Sequence, residues 1–219
     1  QPALVDLYYS DGTYSATLVS GKTAIGVIAY LDDSSTTNDD EITEKSNGGG
    51  HGLVLCLKNA ASNLVWHSTR EMVFSESVSV QNTEALKRYS NVSGYTLTST
   101  LVNDENAATK SPAAYQAKNY TGLSAPTTGT TGWFLPSAQQ WVRMMTGLGG
   151  LIEGVITYGN SFDSSHSAIN LWDAALSKAG SGNYDSMTQS SMFWTSSECD
   201  VNNAIRVLVD QSNSFTYGA

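Results

Sequence analysis

The order of its apolar runs most constrains what this chain can fold into. Near the N-terminus, LVDLYYSDGTYSATL places an Asp-Gly pair between two runs of β-formers, a pattern typical of a hairpin. Residues 23–31 and the run from Gly52 are short, apolar and rich in β-branched side chains, which predicts buried strands. Three further short strands are predicted near the C-terminus, at residues 192–198, 204–210 and 214–218.

Four segments between these runs predict helices. In the clearest of them Gln140 follows Ser137 by three residues, which predicts a capping box at the start of a helix. Apolar residues then recur on one helical face at Trp141, Met144, Met145 and Leu148. The other three predicted helices lie within residues 82–90, 111–120 and 167–180.

Strands, then helices, then strands predict the α+β fold class. No Pro/Gly-rich linker divides the chain, so residues 1–219 are expected to form one module, with residues 1–31 as an N-terminal strand extension.

The composition excludes two classes of partner. The 11 basic residues against 20 acidic ones give a net charge of −9, which provides no basic footprint for nucleic acid or for an anionic membrane surface. No apolar run reaches the roughly 20 residues of a transmembrane helix, so we expect no membrane insertion. Only 14% of residues are charged, and Ser, Thr, Asn and Tyr are abundant, which indicates an extracellular protein of strands and loops. The chain begins at Gln1, and we expect a signal peptide to have been removed or to lie outside this sequence.

Two segments carry a resemblance to a known family. GWFLPSAQQW (132–141) is followed by LWDAALSKAG and then by FWTSSE (193–198). This order resembles the Fibrobacter-type major paralogous domain and the related C-terminal domain of Legionella collagen-like proteins. The upstream pieces LYYSDGTYS, AIGVIAYL, HGLVLCLKNA and SPAAYQAKNY are similar to surface proteins and surface lipoproteins of gut Bacteroidales that carry this module beside fimbrial components.

The resemblance implies a C-type-lectin-like α+β domain with a mixed or antiparallel sheet, a few helices and long loops. It implies structural roles for the motif residues Trp133, Pro136, Ser137, Trp141, Trp194 and Glu198. The three tryptophans are expected in the core, with Trp194 pointing into the same core as Trp141. Members of the family usually end with a further strand, whereas this chain stops at residues 217–219. We therefore expect an open sheet edge at which a partner strand pairs.

Nothing in the sequence selects a catalytic or metal site. His51, His67 and His166 are isolated, and no H-E-x-x-H, G-x-S-x-G, P-loop or G-x-G-x-x-G pattern occurs. Carboxylates are available, but no pair stands out among Glu153, Asp163, Asp173 and Glu198. We expect no enzyme activity, no cofactor and no metal, and we interpret the acidic residues 32–41 as a solvated loop rather than a calcium site.

The two cysteines leave two interpretations open. Cys56 and Cys199 are far apart in sequence, which excludes the paired-knuckle zinc patterns. They form either one long-range disulfide in an oxidising compartment or two buried thiols.

Ligand binding through aromatic loops is the remaining chemistry. Sugars place their apolar faces on Tyr and Trp while Asn and Asp bind hydroxyls. The candidate ligand-binding residues are Tyr158, Asn160, Asp163, Asn183, Tyr184, Asp185, Asp200 and Asn202.

We therefore expect a secreted, cell-surface or fimbria-associated adhesion module of a Gram-negative bacterium. Its partner is expected to be a glycan or a host or bacterial surface protein, with fimbrial subunits as neighbours. One alternative is a structural pilus or tip subunit that assembles by strand addition. The other is an unrecognised enzyme on a scaffold like that of the formylglycine-generating enzyme.

Overall fold

The computed structural model describes residues 1–31, 52–74, 92–148, 167–187, 192–208 and 214–218. Within those ranges the chain forms two antiparallel sheets and five helices, so the predicted α+β class is confirmed. The predicted helix at 82–90 and the acidic residues 32–41 lie outside the described residues. Among the helices described, none is both long and apolar enough to cross a bilayer.

The first sheet contains the strands predicted in the N-terminal region. It consists of β1 (Leu7–Tyr9), β2 (Tyr14–Ser15), β3 (Ala24–Leu31) and β4 (Gly52–Cys56), in the order β2-β1-β3-β4. The predicted hairpin joins β1 to β2, and its glycine, Gly12, has a φ of 81°. A left-handed φ at this place is the reason that the turn needs glycine. Among the strands that the structure describes, β4 is last in the order and so forms one edge of this sheet.

The second sheet is a meander of the three predicted C-terminal strands. Here β5 (Met192–Asp200), β6 (Asn203–Leu208) and β7 (Ser214–Gly218) pair in chain order. The side chain of Asp200 shapes the turn after β5, since its Oδ1 accepts hydrogen bonds from Asn202 N at 2.7 Å and Asn203 Nδ2 at 2.9 Å. Within the described part of the chain, β7 is the last strand in the order and forms an edge of this sheet.

The helices agree with the sequence only in part. They are α1 (Gly94–Val102), α2 (Ala107–Lys110), α3 (Pro112–Lys118), α4 (Ala138–Leu148) and α5 (Ser167–Ser177). The last three were predicted, with Pro112 at the first turn of α3 and Gly180, at a φ of 90°, after α5. The side chain of Ser111 makes no cap hydrogen bond to α3, so proline alone marks that start.

The capping box of α4 is confirmed. Gln140 Oε1 accepts a hydrogen bond from Ser137 N at 3.0 Å, and Ser137 Oγ accepts one from Gln140 N at 3.2 Å. Both residues are buried, so this reciprocal pair satisfies backbone donors that water cannot reach.

The main hydrophobic cluster joins both sheets to α4. This helix packs on β3 of the first sheet and on β5 and β6 of the second. Buried side chains from both sheets, from α4 and from α5 meet in one cluster that includes Leu7, Val27, Trp141, Met145, Trp172 and Ile205. The apolar face predicted for α4 is therefore its buried face.

The prediction that Trp194 shares the core of Trp141 is wrong. Its neighbour Phe193 packs on Trp141, with ring centroids 5.4 Å apart. Trp194 instead packs against a second cluster, which consists of Trp66, Leu101, Ala114 and Ala204. Consecutive residues of a strand point to opposite faces, so adjacent aromatics of β5 enter different clusters.

The two family-like segments contact each other directly. Ser196 N donates to Pro136 O at 2.9 Å, and Ala138 N donates to Ser197 Oγ at 3.1 Å. Through these two bonds, Pro136 and Ala138 attach the start of α4 to β5.

Glu198 is also structural. It is 2% exposed, and its two carboxylate oxygens accept hydrogen bonds from Val73 N and Phe74 N, each at 2.9 Å. The side chain thus holds the backbone at Val73 and Phe74 against β5.

Both cysteines are thiols, so the disulfide alternative is wrong. Cys56 lies on β4 and Cys199 on β5, in different sheets. Cys199 is buried in the main cluster, as expected for a thiol that packs like a small apolar side chain.

Candidate binding site

An open cavity of about 300 Å³ has β4 and the residues that follow it on one side. The loop that leads into α4 lies on the other side. Aliphatic side chains of β4 and of the helices line one part of it. Aromatic rings line much of the rest, contributed by Tyr95, Tyr120, Trp133, Phe134, Trp141 and Phe193. Such a concave, mostly apolar site with a few polar groups is the usual form of a ligand pocket.

The loop wall of the cavity is braced by hydrogen bonds within the loop. Trp133 Nε1 donates to Leu123 O, and Thr130 Oγ1 donates to Pro126 O at 2.8 Å. Gly132, at a φ of 72°, turns the chain immediately before Trp133. These contacts fix the indole of Trp133 at the cavity wall.

Trp133 therefore does not occupy the core, contrary to its prediction. It is half-buried and belongs to neither hydrophobic cluster, whereas Phe134 packs on the main cluster and Leu135 on the second. Trp133 lines the cavity without packing on either cluster, whereas Phe134 packs on the main cluster and also lines the cavity.

An ion pair lies at the rim of the cavity. Lys58 Nζ is 3.0 Å from Asp185 Oδ1 and donates to Gly182 O at 3.1 Å. Asp185 Oδ2 accepts a hydrogen bond from Asn59 N at 2.9 Å, and Asp185 N donates to Leu57 O at 2.8 Å. Partial burial raises the pKa of Asp185, but the hydrogen bonds from Asn59 and Lys58 outweigh it and hold that pKa below its usual value.

The other titratable groups with shifted pKa values in the wall stay neutral at pH 7. Burial raises the pKa of the Cys56 thiol to about 11, and it also raises the pKa of Tyr120. The pKa of Tyr8 is raised by burial and by the nearby charge of Asp11. These groups are neutral at pH 7 even at their ordinary pKa values, and the charges of Lys58 and Asp185 are paired with each other.

Of the candidate ligand residues that the structure describes, Asp185 lines the cavity. Asn183 lies in the same turn, and its Nδ2 donates to Ala179 O at 2.9 Å. Tyr184 is half-buried and packs against the main cluster. Asp200 and Asn202 form the β5–β6 turn and do not line the cavity. The other candidates, which are Tyr158, Asn160 and Asp163, lie outside the described residues.

Sequence reasoning missed the aromatic residues of the cavity. Tyr95 lies on α1, an unpredicted helix, and Tyr120 follows α3. The sequence contains two pairs of adjacent aromatic residues, Trp133-Phe134 and Phe193-Trp194. Two neighbours in an extended segment face opposite sides, so such a pair can place one ring outside the main core. That signal indicates a second aromatic surface but not its location.

The described carboxylates considered for catalysis have structural partners. Asp173 accepts hydrogen bonds from Met187 N at 2.7 Å and from Ser186 Oγ, and Glu198 binds the two backbone amides described above. Within the ranges that the structure describes, no three His, Cys, Asp or Glu side chains converge as a metal site.

Comparison with known proteins gives one informative likeness. No protein-family model matches the chain, and no curated protein matches it. The fold is similar to that in a crystal structure of a fimbrial protein from Bacteroides ovatus, with a TM-score of 0.61 and 16% sequence identity. The match covers 98% of this chain and 45% of the fimbrial protein, so this chain spans less than half the length of that protein. At this identity the likeness shows a shared fold.

Proposed function

We propose that this chain is a non-catalytic adhesion module of a bacterial surface fimbria, and that it binds its ligand in the aromatic cavity. The observation that carries the proposal is the cavity, in which aromatic rings from separate segments line one concave surface. Aromatic side chains provide much of the binding energy at recognition sites, because each buries a large apolar area.

The structural likeness supports the fimbrial part of the proposal. The similar structure is that of a fimbrial protein, and the match includes nearly all of this chain. A C-type-lectin-like fold, a cell-surface location and a Gram-negative source are parts of the same proposal.

The proposal that the module is non-catalytic rests on what the carboxylates do. Asp173 and Glu198 both bind backbone amides, so each orients a loop. The rim carboxylate, Asp185, is already bound by Lys58 and Asn59. A general acid or base needs a proton that it can exchange with a substrate, and these three groups are engaged in holding the fold.

A surface-binding assay with a matched pair of variants tests the proposal. Ala60 is half-buried and lines the cavity, whereas the next residue, Ala61, is exposed and does not line it. The purified protein is applied to a glycan array and to immobilised mucin and extracellular-matrix proteins. We expect saturable binding to at least one surface, which Ala60→Phe abolishes and Ala61→Phe preserves. The absence of binding to every surface, or binding that Ala60→Phe does not reduce, would contradict the proposal.

A structural pilus subunit is the second candidate, and the sheet edges favour it. Both β4 and β7 are last in the order of their sheets, and an edge strand can pair with a strand of another chain. Quantitative mass spectrometry of isolated fimbriae separates the two candidates. Copies in number equal to the main fimbrial subunit support the structural role, whereas a few copies per fimbria support adhesion.

A further inference from the structure

We infer that the cavity takes an uncharged, apolar side chain presented by a protein ligand, and that it does not take a sugar. This inference rests on the proposed adhesive function and names its ligand class. It follows from the hydrogen bonding, the charge and the size of the cavity, and from the strand that lies beside it.

The polar side chains of the cavity wall are largely engaged by the protein itself. Both oxygens of Asp185 accept hydrogen bonds, and Gln140 Oε1 belongs to the capping box of α4. Trp133 Nε1 and Thr130 Oγ1 donate to backbone carbonyls of their own loop. A bound sugar must exchange water for protein at each hydroxyl, and these groups already use part of their hydrogen-bonding capacity within the protein.

The charge of the cavity leads to the same ligand class. Lys58 is the cationic side chain that lines it, and its ammonium is paired with Asp185. The thiol of Cys56 and the hydroxyl of Tyr120 are neutral at pH 7, since their ordinary pKa values of 9.0 and 10.0 lie above 7 and burial raises the pKa of each further. A charged ligand group would lose its hydration and gain no opposite charge in return.

The size of the cavity fits one anchoring group. Its volume of about 300 Å³ is at the small end of the roughly 300–1,000 Å³ of small-molecule sites. The indole of Trp141 is part of the wall of this small cavity.

The neighbouring edge strand favours a protein as the source of the side chain. All five residues of β4 line the cavity, and β4 pairs with β3 on one side and is last in its sheet. A peptide whose side chain enters the cavity therefore runs close to the outer backbone groups of β4. Backbone hydrogen bonds with pockets for side chains are a general mode of peptide recognition.

Ligand-observed NMR titration with three probes tests the inference. The probes are N-acetyltryptophanamide, indole and the methyl glycoside of N-acetylglucosamine. We expect the capped amino acid to bind with a Kd on the order of 1 mM, as single-residue fragments do. We expect Ala60→Phe to weaken it about tenfold or more, since the new ring occupies the cavity, and Ala61→Phe to leave it unchanged.

The other two probes decide the ligand class and its source. Saturable binding of the glycoside that Ala60→Phe abolishes would overturn the inference. Indole that binds as tightly as N-acetyltryptophanamide would overturn the assignment to a protein, because the backbone amides would then contribute nothing. Circular dichroism of each variant confirms that the fold is intact.

The inference and the proposed function fail in different ways. If the protein binds neither the glycan array nor the immobilised proteins, the adhesive function itself is contradicted. If the protein binds a surface of the panel but does not bind the capped amino acid, only the inference is overturned. The same holds if the protein binds a glycan of the array and the free sugar competes for that binding.

Discussion

Replacement of the buried carboxylate of Glu198 tests how β5 holds the backbone at Val73 and Phe74. The side chain is 2% exposed, and each oxygen accepts one backbone hydrogen bond, from Val73 N and from Phe74 N, at 2.9 Å. Glu198→Gln keeps the shape of the side chain but replaces one oxygen with an amino group. That group is a donor, and it would face a backbone donor.

The expected cost follows from these two bonds. A hydrogen bond to a charged acceptor contributes roughly 1.5–3 kcal/mol, and a buried donor left without a partner costs about 1–3 kcal/mol. The variant no longer has to bury a charge, which offsets part of the loss. We therefore expect Glu198→Gln to lower the free energy of unfolding by about 2 kcal/mol, with a Tm lower by roughly 4–8 °C at this chain length.

Urea unfolding measures this difference, and Glu105→Gln is the matched control. Glu105 is exposed, so its replacement is expected to change the free energy of unfolding by less than about 0.5 kcal/mol. An unchanged m-value would show that the variant alters stability rather than the compactness of the unfolded chain. Amide hydrogen exchange should be faster at Val73 and Phe74 in Glu198→Gln. A stability change as small as that of the control would refute the reasoning.

Three further predictions follow from other buried contacts. Gly147→Ala would place a Cβ 1.9 Å from Ala29 O, so we expect a loss of about 2 kcal/mol or more in thermal unfolding. Ser137→Ala removes the side-chain acceptor of the capping box, and we expect a loss of about 1 kcal/mol in urea unfolding. Burial raises the pKa of Cys56 from 9.0 to about 11, so at pH 8 iodoacetamide should alkylate it about 100-fold more slowly than in the unfolded chain.

The thiol also makes stability depend on pH in a defined direction. The pKa of Cys56 in the folded chain, about 11, lies above the ordinary value of 9.0. The contribution of the neutral, buried thiol to the free energy of unfolding is therefore fully present below pH 9 and is lost as the pH rises towards 11. Rapid alkylation of Cys56 in the folded protein at pH 8 would contradict the burial argument.

A Gly147→Ala variant as stable as the parent would show that α4 does not approach β3 as closely as described.

The elements that sequence predicts well depend on contacts between near neighbours. The turn around Gly12 needs a left-handed φ, and the start of α4 needs Ser137 and Gln140 three residues apart. Each of these requirements is met within a few residues, so a pattern in the sequence can express it. The strands β3 and β4 follow in the same way from short apolar runs.

Helix α1 shows why other elements could not be predicted. Its sequence, GYTLTSTLV, begins with glycine and contains three threonines, which are weak helix formers. A Cβ at Gly94 would lie 2.0 Å from Gln140 Oε1 and 2.6 Å from Ser137 N, so the helix begins with the residue that fits against the capping box of α4. Burial of Thr98 and Leu101 then holds the helix in place. These are tertiary contacts, and no local pattern reports them.

The candidate site is mostly of this second kind. Lys58 and Asp185 are 127 residues apart in sequence and meet at the cavity rim, where their pairing changes what Asp185 can do. From loop composition alone, Asp185 is a ligand for sugar hydroxyls; with both oxygens already bound, it instead orders the turn after α5 against the end of β4. Trp133 changes in the opposite direction, from core residue to cavity wall, whereas Phe134 beside it packs on the main cluster and also lines the cavity. The chemistry of this surface therefore depends on tertiary packing, which leaves aromatic rings at the cavity wall and binds the carboxylate of Asp185 within the protein.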